Sequence, residues 1–444
     1  MHPVVRKLVD TATKYAQDGY PIEAINYWKQ VLKFAPKNEM VLLIIGDLYR
    51  SIGDLQHAES FYLMAQKFAT DMVLPTCRLA AIEERKGNLQ KAKELLHNLV
   101  RVARPNVNAL SVWANVCRRT GEYKLAIEAL KIAITQDRSH EELTLLHSGL
   151  ARNYDSTGDY ESAFRHFEIS NSYRNQKYSP KERSRQTDII LSVPPLTPIN
   201  YSMPQTPVLI VGFMRSGSTL LEQSLGRHSQ ISTCGEVASL RAIAEQIPSQ
   251  LGFHEAWPIA TRKFTKMQAQ KVGLLYLSEM QRFGTKEDCK IVVDKSLSNY
   301  ELLQLAHRIL PNVKIIHCVR DPIDTCLSCF VTHFSQEHGF TTRLDWLAHE
   351  YGLYRKVMAY QHQSLDIHTV EYEKLVKQPR QAISAVLDHI GLKWEEVCMQ
   401  PEKNQRVVAT ASYAQVNQSF HTKSIGKSQN YLRHLEPLIN ALKQ

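Results

Sequence analysis

No apolar run in this chain of 444 residues approaches the length of a membrane span. The most apolar early stretch, Met40 to Ile45, is far short of the roughly 20 residues that a spanning helix needs. The start, MHPVVRKLVDTATKY, is amphipathic and lacks the apolar centre of a secretory leader. The expectation is a cytoplasmic protein with no membrane insertion. Cysteine is sparse: eight residues, scattered, which argues against a disulfide framework. Cys326 and Cys329 form a single CxxC with no second pair at zinc-ribbon spacing. Two buried thiols are expected there, and no metal. Acidic residues are outnumbered, 44 against 54 basic ones, for a formal charge of +10. That excess suits an anionic ligand. No recognised nucleic-acid module accompanies it, so nucleic acid is not the expected partner. What remains, 43% apolar and 22% charged, is a soluble globular composition. The length asks for two or three domains.

The first part of the chain repeats itself. Gly19, Gly53, Gly87 and Gly121 stand 34 residues apart, and Gly158 follows after 37. Five residues after each glycine comes an alanine: Ala24, Ala58, Ala92, Ala126 and Ala163. The local text recurs too, as in GDLQHAESFY, GEYKLAIEAL and GDYESAFRHF. This is the tetratricopeptide pattern of paired helices. The glycine permits a turn that residues with a Cβ resist, and the alanine lets the helices approach. The expected product is an α-superhelix of about five repeats over residues 1–170, each burying its apolar stripe on the next. Its concave face suits a peptide or a protein partner; a scaffold that only packs is the equal alternative. Residues 171–205 turn polar and then proline-rich, through SPKERSRQTD to SVPPLTPINYSMPQ. They read as an extended linker before a second domain over 206–444.

TPVLIVGFMRSGSTLLEQSL, residues 206–225, opens with Val208, Leu209, Ile210 and Val211. Four consecutive apolar residues predict a strand buried on both faces, as in a parallel sheet. Gly212 and Gly217 then bracket a GxxxxG loop, and Ser218, Thr219, Leu220 and Leu221 begin a helix. Strand, glycine loop and helix aim backbone N–H groups and a helix N-terminus at a phosphate. A nucleoside-triphosphate loop carries lysine after the second glycine, to reach the β- and γ-phosphates. Here that position is Ser218, and Arg215 supplies a cation from within the loop. KIVVDKS, residues 290–296, ends a second apolar strand at Asp294 and Lys295. KIIHCVRDPIDTCLSCF, residues 314–330, gives a third strand, a turn at Arg320 and a helix. The fold expected is a P-loop-like α/β domain with a central parallel sheet. Asp294 stands where a magnesium ligand would, which keeps a kinase or nucleotide hydrolase open as the alternative. The missing lysine opposes it.

GFMRSGSTLLEQSLGRHSQISTCGE resembles the 5′-phosphosulfate loop of sulfotransferases that use 3′-phosphoadenosine-5′-phosphosulfate (PAPS). It looks most like the branch that holds the tyrosylprotein sulfotransferases and the bacterial tetratricopeptide-repeat sulfotransferases. The resemblance runs over residues 206–431, and with the repeats over nearly the whole chain. It implies that Arg215, Ser216, Gly217, Ser218 and Thr219 hold the 5′-phosphosulfate. It makes Glu236, 21 residues after Arg215, the general base for the acceptor hydroxyl. Glu222, Glu301 and many other carboxylates compete for that role, and most are expected to be simply solvated. Lys295 lies against the transferring group, where a cation offsets charge as the S–O bond breaks. Arg320 and Ser328, eight residues apart, match the 3′-phosphate signature. Arg grips phosphate with a fork of two donors, and Ser adds a hydroxyl. An Arg320 that merely pairs with Asp321 or Asp324 is the plain alternative. HTVEYEKLV, residues 368–376, puts Tyr372 near the nucleotide. In TASYAQVNQSFHTKSIGKSQNY, residues 410–431, Ser412 falls near the sulfuryl group and Lys427 near the 3′-phosphate. The family's tryptophan after that lysine is Ser428 here.

The activity so implied is transfer of a sulfuryl group from PAPS to a hydroxyl, leaving PAP, the desulfated nucleotide. Arg215, Glu236, Lys295 and Ser412 form the catalytic set. The acceptor stays open between a peptide tyrosine, a carbohydrate and a small molecule. A non-catalytic repeat protein on a degenerate transferase is the remaining alternative, and the retained set of residues opposes it.

Overall fold

The computed structural model describes residues 2–17, 20–174, 176–237, 239–255, 257–334, 336–404 and 419–443, with 336 and 337 by backbone alone. The chain forms two compact units, Met1–Gln176 and Lys177–Gln444. The first is an array of paired helices: α1 (Pro3–Gln17) with α2 (Pro21–Phe34), α3 (Glu39–Ser51) with α4 (Leu55–Phe68), and α5 (Val73–Lys86) with α6 (Leu89–Val100). Next come α7 (Val107–Thr120) with α8 (Tyr123–Ile134), and α9 (His140–Thr157) with α10 (Tyr160–Tyr173). From Gly53 onward the repeat glycines sit at φ between +80° and +86°, a left-handed turn that needs no Cβ. Gly19 lies outside the described residues. The five repeat alanines are all fully buried. One helical turn after each stands a large buried residue: Trp28, Tyr62, Leu96, Leu130 and Phe167. The methyl admits the neighbouring helix, and the large side chain fills the space beside it. Between repeats, the Arg119 guanidinium donates to Glu84 Oε1 at 2.7 Å. This is the tetratricopeptide architecture.

The second unit begins earlier than its first strand. Where the sequence suggested extended linker, helix α11 (Pro180–Ser192) forms. The Ser179 hydroxyl caps it by accepting from the Glu182 amide at 3.3 Å. Pro180 occupies the first turn, where its missing N–H is no loss. Thr187 and Ile190 are its buried residues, too few to show a helical stripe. Charge holds it instead. Arg183 Nη2 lies 2.7 Å from Glu350 Oε1 and 2.8 Å from Glu301 Oε1.

The sheet has five strands: β1 (Thr206–Gly212), β2 (Ile231–Gly235), β3 (Ile291–Asp294), β4 (Lys314–Val319) and β5 (Ile367–Glu371). Their order is β2-β3-β1-β4-β5, and all neighbours pair in parallel. Helix α12 (Ser218–Leu225) follows β1, while α13 (Ser239–Gln250) and α14 (Lys266–Phe283) lie between β2 and β3. The connection from β3 to β4 carries α15 (Leu303–Ile309); that from β4 to β5 carries α16 (Pro322–Phe330) and α17 (Leu344–His362). Beyond β5 come α18 (Tyr372–Lys377), α19 (Pro379–His389) and α20 (Leu432–Leu442). One sheet face, with Val208, Ile210, Val293 and Ile316, packs on Leu221 and Leu225 of α12 and on Ile383 and Val386 of α19. The alternate residues Leu209, Val211, Val292 and Ile315 are buried as well. Burial on both faces is why β1 reads as an unbroken apolar run. Cys326 and Cys329 are buried thiols on α16. Burial pushes the Cys329 thiol up to about 12. Among the described residues, no helix is long and apolar enough to cross a membrane.

Candidate active site

Because the five strands are parallel, their C-terminal ends share one edge of the sheet. The chain leaves β1 for β2 and β3 on one side and returns for β4 on the other. The end of β1 is therefore a switch point, where open parallel sheets hold ligands. The residues that follow the strands are the glycine loop after β1, Glu236 after β2, Lys295 after β3, Arg320 after β4 and Tyr372 after β5.

Close approach shapes the loop. A Cβ on Gly212 would lie 2.4 Å from the Cys318 carbonyl oxygen of β4. A Cβ on Gly217 would lie 2.3 Å from the Tyr372 ring. Between them Arg215 is left-handed at φ +67°, alone among the described non-glycine residues. That conformation costs an L-residue about 1–2 kcal/mol. It sends the side chain toward α16, where Nε donates to Ser328 Oγ at 2.9 Å. Burial lowers the Arg215 pKa; the Cys329 thiol opposes the shift and the Arg320 cation adds to it. Arg320 Nη1 donates to the Arg215 carbonyl at 3.3 Å, and its guanidinium stacks 4.9 Å from the Tyr372 ring centre. Gly217, Tyr372 and Arg320 thus form one stack. Ser216 Oγ and Arg320 Nε are buried without a hydrogen-bond partner among the described residues. The first amides of α12, from Ser218 and Thr219, have no intrahelical acceptor. Unused donors beside two cations make a cradle for an anion.

Glu236 and Lys295 meet at the adjacent ends of β2 and β3. The backbones are laced together: the Lys295 amide donates to the Gly235 carbonyl at 2.9 Å. Ser296 Oγ accepts from the Val237 amide at 2.8 Å. Lys295 Nζ donates to Glu236 Oε1. Lys295 is almost wholly buried, and the Glu236 side chain is 55% exposed. Asp294, just before, is fully buried. Its Oδ1 accepts from the Ser296 amide at 2.7 Å, and its Oδ2 from Tyr276 Oη at 2.5 Å and Asn299 Nδ2 at 3.0 Å. Burial raises the carboxyl to about 6, against the pull of those donors. A carboxylate so engaged orders the turn that carries Lys295 and has little left for a magnesium ion.

Asp324 on α16 gathers the C-terminal tail. Its two oxygens accept from the amides of Gly426 and Ser428 at 2.7 and 2.8 Å. It also lies 3.6 Å from Arg320, the pairing that the plain alternative foresaw. Arg320 adds a hydrogen bond to the Ser424 carbonyl. Lys427, between the two pinned amides, is exposed. The contacts therefore join Arg215, Gly217, Arg320, Ser328 and Tyr372 directly, and Lys427 through Asp324. Ser328 stands with Arg215 rather than with Arg320. Ser412 lies outside the described residues.

Residues 207–396 match the model of the sulfotransferase family. This part of the chain is a sulfotransferase domain. An uncharacterized protein of Aquifex aeolicus (strain VF5) is 26% identical over 376 residues, 81% of this chain and 48% of that protein. Protein-tyrosine sulfotransferase 2 of Gallus gallus is 23% identical over 226 residues, 46% of this chain and 56% of that protein. The chain spans about half the length of the curated relatives it matches. Among solved structures, the sulfotransferase domain of the Synechococcus PCC 7002 olefin synthase is similar at 18% identity and a TM-score of 0.37. That match covers 55% of this chain and 98% of that one.

Two carboxylates of the sulfotransferase domain differ from expectation. Glu222 and Glu301 are buried, not solvated. Glu301 is consumed by Arg183 and by Arg241, whose Nη2 is 2.6 Å away. Glu222, on α12, lies 4.0 Å from Lys295 Nζ. The sequence signal for Glu222 was present and weak: it stands four residues after Ser218, on the first turns of the loop helix.

Proposed function

We propose that this protein transfers the sulfuryl group of PAPS to a hydroxyl acceptor. The observation that supports this most is the contact of Glu236 with Lys295 on the sheet edge that also carries the glycine loop. A base and a buried cation, on neighbouring strand ends beside an anion cradle, suit in-line transfer of an anionic group. PAPS supplies the activated sulfuryl group when bound. The residues fit it. Ser216 Oγ and the amides of Gly217, Ser218 and Thr219 hold the 5′ end, with Arg215 as counter-charge. Arg320 and Ser328 hold the 3′-phosphate with Lys427 at the tail, and Tyr372 flanks the base or ribose. Glu236 takes the proton from the acceptor hydroxyl. Lys295 faces the group in transit; the resemblance gives Ser412, outside the described residues, a role at the same group. No metal enters this scheme. A peptide tyrosine is the preferred acceptor, on the likeness to the protein-tyrosine sulfotransferase. The repeat array is then the place for a peptide or partner protein, and the protein works in the cytoplasm. The hydrogen bonds that Asp294 accepts from Tyr276, Asn299 and the Ser296 amide weigh against the kinase or hydrolase alternative.

The test is calorimetric binding of PAP, adenosine 5′-phosphate and ATP in magnesium-free buffer. PAP is expected to bind tightest. Arg320→Ala should weaken PAP by about tenfold or more, as for a lost charged hydrogen bond, and leave adenosine 5′-phosphate almost unchanged. Tight ATP binding without PAP binding would overturn the proposal.

A further inference from the structure

Lys295 stands between two carboxylates. Glu236 Oε1 accepts from its Nζ on one side, and Glu222 Oε2 lies 4.0 Å from the same atom. Exposure ranks them: 55% for the Glu236 side chain, 1% for Lys295 and 4% for Glu222. Glu222 is thus the covered partner and Glu236 the one at the solvent. Glu222 Oε1 is buried with no hydrogen-bond partner among the described residues. Among those residues Lys295 is also the only cation in ion-pair range of Glu222. A buried, unpaired charge is strongly disfavoured, so a covered carboxylate of this kind needs its cation close.

The arrangement answers a difficulty in the proposed chemistry. Glu236 must offer an oxygen to the proton of the acceptor hydroxyl, and the Lys295 ammonium holds one of its two, Oε1. Freeing the whole carboxylate for the acceptor requires the ammonium to leave Glu236 without leaving cover. A buried ammonium drawn off its only counter-charge would be strongly disfavoured; with Glu222 behind it, its charge stays compensated. We propose that Glu222 is a positioning residue: it holds the charge of Lys295 while an anion at the strand ends draws the ammonium off Glu236, and so frees Glu236 to accept a proton. This rests on the roles of Glu236 and Lys295 proposed above.

A double-mutant cycle with PAP as the probe tests it, by isothermal titration calorimetry at low ionic strength. The four proteins are the wild type, Glu222→Gln, Glu236→Gln and the double variant. Glu222→Gln alone should weaken PAP binding by about tenfold, the size of one charge-assisted contact. Simple electrostatics predicts the opposite, because a negative charge near an anion site has been removed. In the Glu236→Gln background Lys295 has no rival to leave, so adding Glu222→Gln should no longer weaken PAP. Equal weakening in both backgrounds would mark Glu222 as a packing residue and overturn the proposal. Tighter binding by Glu222→Gln would overturn it too. Should Glu222→Gln fail to fold, Glu222→Leu buries no polar atom and takes its place in the same cycle, with the same expectations. A wild-type protein that does not bind PAP would instead remove the PAPS reading itself, a failure distinct from the other two.

Discussion

A methyl group added at Gly217 would have to occupy the space of the Tyr372 ring, 2.3 Å away, at a φ of +91°. Both demands fall on one atom. Gly217→Ala should therefore lower stability by about 1–2 kcal/mol from the backbone term alone. It should also push the loop off Tyr372 and weaken PAP binding. Urea unfolding and calorimetry together check this; lost stability with unchanged PAP affinity would mean that the loop does not form the nucleotide site. At this scale the sequence was most legible where a residue directly follows a strand. Lys295 and Arg320 each close an apolar strand, so their place on the sheet edge follows from the strand; Glu236 follows ISTCG, no apolar run, and was named through the resemblance alone. Glu222 was hidden because its importance comes from the side of a helix, and nothing in its spacing shows that Lys295, far along the chain, lies over that side. Ser328 was legible as a donor but not as the partner of Arg215, since the left-handed turn at Arg215 is a property of the folded loop.

At the scale of elements, the turn after β3 shows a carboxylate at a magnesium-ligand position engaged by protein donors instead. Asp294 has the sequence position of a metal ligand, but Tyr276 on α14 and Asn299 both donate to it. Its burial has a measurable sign. The folded carboxyl is raised to about 6, above the unfolded value of about 3.9. A raised carboxyl gives stability that is whole below the unfolded value and is lost as pH climbs through the folded one. Between about pH 4 and about pH 6, Asp294 should thus cost the fold roughly 3 kcal/mol as it ionises. Asp294→Asn cannot titrate, so its stability should vary less over that window, as read by urea unfolding at several pH values. An equal slope in both proteins would place the titration elsewhere. Helix α11 teaches a related lesson. Strands β1, β3 and β4 were legible because they are apolar and buried on both faces, while β2 (ISTCG) and the part-exposed β5 (IHTVE) carry no such run. Helix α11 docks through Arg183 on Glu350 and Glu301, and Tyr178 Oη also donates to Glu350 at 2.8 Å. A polar interface leaves no apolar stripe in the sequence, so the segment read as linker.

Across the whole molecule, each unit has a core of its own. The repeats bury Trp28, Tyr62, Leu96, Leu130 and Phe167 beside their alanines, and the sheet is covered on both faces. The repeat array was legible from period alone, because each pair of helices needs the same small and large residues at the same place. The boundary was less so: the compact units divide after Gln176, inside the 171–205 stretch read as linker and ahead of the domain start read at residue 206. Two cores predict two unfolding transitions in calorimetry. PAP, if it binds only the folded sulfotransferase domain, should raise one of them. At a hundredfold excess over its Kd the gain is about 2.7 kcal/mol. The repeat transition should stay where it is, which also separates ligand binding from a general salt effect of a multivalent anion. A single transition, raised as a whole by PAP, would mean that the two units unfold together. Stability bound at one end of the chain would then protect the other, and a partner seated on the repeats would, by the same linkage, strengthen nucleotide binding.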